Sequence, residues 1–108
     1  MDAPLRDECL HAIGALLRAA TALARGTLPG DDDWLQVRSV DRALERLTAR
    51  VGATDDDAVR APFDALVLLH RSIRAAIVNL QTPAQALPPD VVLLDERVRQ
   101  ARALLRAR

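Results

Sequence analysis

The apolar pattern over residues 59–80 constrains the fold of this chain more than any other feature. Apolar or near-apolar side chains recur there in alternating steps of four and three, the spacing of one stripe along an α-helix. The stripe consists of Val59, Phe63, Leu66, His70, Ile73, Ile77 and Leu80. The segment also contains an unbroken apolar run, Leu66, Val67, Leu68 and Leu69. Because four neighbours cover most of a helix's circumference, we expect this helix to be the centre of a bundle or a docking surface.

Three further segments have the same periodicity. The first helix is expected over residues 4–25 and should end at Gly26. The second is expected to begin at the aspartates of residues 31–33 and to end at Gly52. The last is expected to begin near residues 89–90. Their apolar stripes are Cys9, Ile13, Leu16, Ala20 and Leu23 in the first helix, Trp34, Val37, Val40 or Asp41, Leu44, Leu47 and Val51 in the second, and Val91, Leu94, Val98, Ala101 and Leu105 in the last.

Polar residues and prolines predict where these helices start. An aspartate cap at Asp31 is expected to stabilise the second helix by about 1 kcal/mol. Thr54 is expected to cap the third helix, with Asp57 completing a capping box. Pro62 should kink the third helix or delay the start of its main body.

We therefore predict an all-α fold, an antiparallel bundle of four amphipathic helices that forms one domain over residues 1–108. Pro83, Pro88 and Pro89 give the last helix a natural hinge. A second arrangement, in which part of the bundle extends away from the rest, stays open.

Composition excludes several classes of function. All fifteen basic residues are arginine, so no lysine is present to form a Schiff base or to bind a phosphate in a P-loop. The formal net charge is zero, which provides no overall attraction to nucleic acid or an anionic membrane. Cys9 is the only cysteine, and no apolar run approaches the roughly 20 residues of a membrane span. The first residues lack the basic region of a secretion signal, so we expect a soluble, cytoplasmic protein.

Side chains able to carry out chemistry are few and separated. His70 has no second histidine four residues away and no Cys-X-X-Cys, so a boundary histidine with a satisfied hydrogen bond is favoured over a metal ligand. His11 is two residues from Cys9 and therefore lies on another face of the first helix. Nothing in the sequence brings Cys9 and His70 together as a nucleophilic pair. We expect no enzymatic activity, no metal and no cofactor.

The last helix is rich in arginine, with Arg97, Arg99, Arg102 and Arg106 expected on its outer face. Arginine pairs with phosphate, so this face would suit contact with nucleic acid. A solvated face, with Glu96 pairing nearby, explains the same residues. Zero net charge and the absence of helix-turn-helix spacing make nucleic acid the less favoured partner.

A partner-binding surface is predicted on the third helix, on the side away from its main stripe. Its residues are Val67, Leu68, Arg71, Arg74 and Val78. If this strip is open, its mixture of apolar residues and arginine is typical of a helix-docking site. If a neighbouring helix or a second subunit covers it, the strip belongs to an ordinary core.

Taken together, the helices resemble the flagellar export chaperones that guard the filament-cap protein, the FliT-like family. The resemblance rests on Asp33-Trp34 followed by Val37, Val40, Leu47 and Val51, on DDDAVR at residues 55–60, on ALVLLHR at residues 65–71 and on LDERVRQARAL at residues 94–104. The chain departs from the family pattern in its longer loop at residues 27–30, in the missing aromatic near its end and in the prolines at residues 88–89.

The resemblance implies a cytoplasmic chaperone for flagellar assembly and type III protein export that uses no ATP. Such a protein holds the helical end of an export client in an apolar groove, and its last helix can cover that groove as a lid. Truncation after Gln85 is then predicted to strengthen client binding. Two alternatives stay open, namely a small helical regulator that binds a transcription factor or nucleic acid, and a homodimer with a structural role.

Overall fold

A computed structural model describes residues 3–52, 54–83 and 85–107 of the chain. These residues form α1 (Ala3–Ala24), α2 (Asp31–Val51), α3 (Asp57–Gln81), α4 (Pro89–Val92) and α5 (Leu94–Arg106). Within these ranges there is no strand, so the predicted all-α class is confirmed. The predicted fourth helix is divided at Leu93 into the single turn α4 and the longer α5.

Helices α1 and α3 lie at the centre of the bundle, which measures 45 × 26 × 26 Å. Helix α3 contacts every other helix, as expected for a central element, and α1 contacts α2, α3 and α5. Helices α2 and α5 flank this pair without touching each other. The largest fully buried side chains come mainly from the two central helices: Leu10, Ile13, Leu16, Leu66, Leu69 and Ile73.

The helix ends agree with the predictions in some places and correct them in others. Gly26 ends α1 with a φ of 78°, a left-handed conformation that glycine adopts without strain. The residue that caps α2 is Gly30, with no side-chain hydrogen bond, so the predicted cap by Asp31 is wrong. Asp56, not Thr54, caps α3 by accepting a hydrogen bond from the Ala58 amide at 2.9 Å.

The predicted delay of α3 at Pro62 is not observed, because one helix includes the residues on both sides of it. Pro62 is the sixth residue of α3, so it removes one intrahelical hydrogen bond, the bond to the Ala58 carbonyl near the start of the helix, and the helix continues past it. None of the helices in the described ranges has the length and hydropathy needed to span a bilayer.

Candidate protein-binding surfaces

The predicted strip on α3 is not sealed by a neighbouring helix. Arg71, Arg74 and Val78 are exposed, and Val67 and Leu68 are half-buried. Of the consecutive apolar run, only Leu66 and Leu69 are fully buried. One side of α3 therefore packs into the core while the opposite side stays partly open to solvent.

Leu68 lies in an open apolar groove between α3 and α5. The groove is lined by Ala61, Asp64, Ala65, Leu68, Gln100, Ala103 and Leu104. Residues 61, 65 and 68 follow one another at helical spacing, so they form one edge of α3. The alanines have short side chains, so the seam between the two helices is not filled. The walls of this groove are predominantly apolar, and it is open along the surface.

Arg74 lies on the other side of α3, facing α2. Its guanidinium is 3.4 Å from a carboxylate oxygen of Asp41, and the other oxygen of Asp41 contacts the His70 ring. The hydrogen-bonded boundary histidine expected at His70 is therefore confirmed. The predicted strip spans a ridge, with Leu68 in the groove beside α5 and Arg74 in a separate groove beside α2.

Helix α5 is attached around a nearly buried arginine. The side chain of Arg97 is 11% exposed and donates to Asp90 Oδ1 at 2.7 Å and to Ser72 Oγ at 2.8 Å. Ser72 is fully buried and donates to the Asp90 carbonyl at 2.6 Å. The expectation that Arg97 faces solvent is wrong. A signal for its true position was present, since it lies three residues after Leu94 and four before Ala101, at the edge of the apolar stripe.

A second arginine of α5 also makes an internal contact, because Arg102 donates to Thr21 Oγ1 on α1 at 2.9 Å. Arg99 and Arg106 are exposed. Two of the four arginines considered for nucleic-acid contact therefore hold α5 onto α1 and α3. This use of Arg97 and Arg102 weakens the case for a basic outer face.

The side chains considered for catalysis lie in surroundings that are typical of a structural role. Cys9 is fully buried, and burial raises the pKa of its thiol to about 11, with the charge of Glu8 adding to the shift and Arg50 opposing it. The thiolate needed for nucleophilic attack is thus disfavoured at neutral pH. His70 is engaged by Asp41, and His11 is exposed beside α2. Among the described residues, no group of three or more His, Cys, Asp or Glu could hold a metal ion.

This chain matches none of the family models, curated proteins or solved structures with which it was compared. The resemblance to the filament-cap chaperones therefore stays a prediction. Evidence for a function has to come from the surface of the chain, where the groove between α3 and α5 is predominantly apolar.

Proposed function

We propose that this protein is a non-enzymatic protein-binding module, a cytoplasmic export chaperone that holds a helical segment of a flagellar or type III secretion client. The observation that supports this proposal best is the apolar groove between α3 and α5, with Leu68 and Leu104 on its walls. An amphipathic client helix would first place its apolar stripe against these residues and against Ala61 and Ala65, and would then take the place of Leu104 and the rest of α5 on Leu68. Arg71, exposed three residues after Leu68, is available to a carboxylate of the client.

The way in which α5 is attached supports a role as a lid. Only three of its side chains are buried, Leu94, Val98 and Ala101, whereas α1 buries nine. Displacing α5 would uncover the α3 surface next to Leu68, including Ser72, which Arg97 of α5 contacts. A client that binds α3 in the displaced state would shift the population toward that state.

Calorimetry with a defined peptide tests the binding site. The probe is a synthetic peptide of the helical end of the filament-cap protein encoded in the same genome. Leu68→Asp places a charge in the groove and should weaken peptide binding at least tenfold, about 1.4 kcal/mol. Leu35→Asp is the matched control, because Leu35 is 60% exposed on α2, away from this groove, and its replacement should leave the affinity unchanged. Equal affinity in all three proteins would refute the groove as the client site.

The lid is tested with Arg97→Ala in the same titration. Loss of the contacts to Ser72 and Asp90 should loosen α5 and tighten peptide binding, while Arg99→Ala, an exposed arginine on the same helix, should have no effect. Unchanged or weaker binding by Arg97→Ala would remove the lid from the proposal.

Salt dependence distinguishes the alternative regulator. Binding of nucleic acid through Arg99 and Arg106 would weaken by orders of magnitude between low and moderate salt, because phosphate contacts release counterions. Burial of a client helix in an apolar groove should change little over the same range.

A further inference from the structure

The large apolar side chains that the described residues leave exposed are concentrated toward one end of the bundle. They are Leu28, Leu35, Val78, Leu80, Leu87 and Val92. Leu28 lies in the loop between α1 and α2, Leu35 lies in the first turns of α2, and Val78 and Leu80 lie in the last turn of α3. The chain direction brings these elements to the same end, because α1 and α3 finish there and α2 begins there.

Four of these residues, Leu28, Leu35, Val78 and Leu80, define what we call the end surface. Leu35 also borders a groove with Trp34 and Ile77, which joins the α2 and α3 parts of this end. The remaining two, Leu87 and Val92, lie between the end of α3 and the start of α5. At the opposite end, the described parts of the α2–α3 connection and the start of α1 expose no large apolar side chain. The large apolar side chains that the described residues expose are therefore concentrated at this end of the bundle.

Charges beside the end surface are complementary to one another and unused within the chain. Arg25 is exposed just before Leu28, and Asp31 and Asp32 are exposed just after it. Neither Arg25 nor these two aspartates forms an ion pair with any described residue, although Asp33 pairs with Arg18 at 3.3 Å. The loop thus presents a positive charge, an exposed leucine and negative charges in sequence.

This arrangement is complementary to itself under a two-fold rotation. In a symmetric dimer the same patch is used twice, so Arg25 of one copy would face Asp31 or Asp32 of the other while the leucines meet between them. We propose that the end surface binds a second copy of this chain and forms an end-to-end homodimer. This inference is independent of the client groove, because the groove lies along the side of the bundle at α3 and α5.

The size of the end limits the area of the interface. A cross-section of 26 × 26 Å gives each copy at most roughly 500–700 Å² to bury, compared with roughly 800 Å² per partner in a standard stable interface. The dimer should therefore belong to the weak class of interfaces and form in a concentration-dependent manner.

Sedimentation velocity over protein concentrations from about 1 to about 500 µM tests this proposal. The wild-type chain should shift from monomer to dimer, and Leu28→Asp should remain a monomer throughout. Leu28 is 71% exposed, so this change should leave the fold intact, which thermal unfolding can verify. Ala49→Asp, an exposed site near the other end of α2, is the control and should dimerise like the wild type.

A charge reversal tests the geometry of the interface. Arg25→Asp and Asp31→Arg should each weaken the dimer at least tenfold, because each change places like charges in opposition. The double variant should recover much of the affinity, because the opposite charges face each other again with their signs exchanged.

A monomeric wild type, a dimer unaffected by Leu28→Asp, or a double variant weaker than both single variants would overturn the proposal. A monomer whose Leu28 is needed to bind a different protein would overturn it as well. Peptide binding in the groove should be retained by Leu28→Asp, so failure of the dimer and failure of the client site are distinguishable.

Discussion

Helices α2 and α5 both flank the central pair, but the polar contacts that attach them differ in exposure. Helix α2 is joined at the surface by Arg50 to Glu8, by Arg18 to Asp33 and by Asp41 to His70 and Arg74. Helix α5 is joined in its first turn by Arg97, whose side chain is 11% exposed, whereas that of Arg74 is 61% exposed.

The difference matters because solvent determines what an ion pair contributes. Exposed pairs contribute about 0–1 kcal/mol, since water and salt screen the charges. Breaking a buried pair costs more, because the partner left behind has lost its hydration without compensation. Among the polar contacts of α5, those of Arg97 therefore contribute more than the exposed contact of Arg102, whereas the contribution to α2 is divided among several weak contacts. A single substitution should release α5 but not α2.

The largest effect is expected for Arg97→Ala. It removes the contacts to Asp90 and Ser72, and because the Asp90 side chain is 31% exposed we expect a loss of about 2 kcal/mol of unfolding free energy in chemical denaturation. Arg99→Ala should stay within about 0.5 kcal/mol of the wild type. If both substitutions had the same small effect, the central role of Arg97 would be wrong.

Unfolding at alkaline pH tests the burial of the Cys9 thiol, which lies on α1 near Arg50 of α2. Because burial raises the pKa of Cys9 from 9.0 to about 11, the unfolded chain loses its thiol proton at a lower pH than the folded chain. Stability should be complete below pH 9 and should fall by about 2 kcal/mol as the pH rises to 11. No lysine or tyrosine is present to titrate over this range. Denaturant melts of Cys9→Ala should show no such decrease, and an equally steep decrease would contradict this assignment.

A smaller effect is expected for Asp41→Ala, which removes the partner of both His70 and Arg74. The contacts are partly exposed, so we expect a loss of about 1 kcal/mol. Glu45→Ala, an exposed acid on the same helix, serves as the control and should be nearly neutral. A loss as large as that of Arg97→Ala would show that the two flanks are attached with similar strength.

The smallest effect is expected for Arg50→Ala. Its pair with Glu8 joins two half-exposed side chains, so its removal should cost at most about 0.5 kcal/mol. Repeating the melts in about 1 M salt should abolish the difference from the wild type, because the screening length falls to about 3 Å. A difference that persists in salt would indicate that Arg50 contributes by packing.

The apolar faces were predictable from the sequence, but several polar contacts were not. The stripes of α1, α2 and α5 follow from spacing within one helix, and their buried residues were predicted in large part. The stripe of α3 was predicted less well, because Leu69, Ser72 and Ala76 are buried outside it and Leu80 within it is exposed. Arg97 was assigned to solvent because of its charge, and its partners on α3 and α4 depend on how those elements pack. The α3 cap was placed at Thr54 because Asp57 follows it at the spacing of a capping box. In the structure Thr54 accepts from the Asp56 amide and Asp56 caps the helix.

The candidate site was predicted only in part. Helical spacing identified the open side of α3, but the groove at Leu68 requires α5 as its second wall. Arg74 was expected beside Leu68, yet its attraction to Asp41 directs it toward α2. Sequence spacing shows which residues share one face of a helix, but it does not show which neighbouring helix packs against that face.

Hydrogen–deuterium exchange with and without the client peptide decides whether α3 is the client site. When the peptide binds, the amides in residues 61–68 of α3 should gain protection, and those in the end surface around Leu28 and Leu35 should gain none. Protection confined to the end surface, or no protection of α3 at a saturating peptide concentration, would refute α3 as the client site.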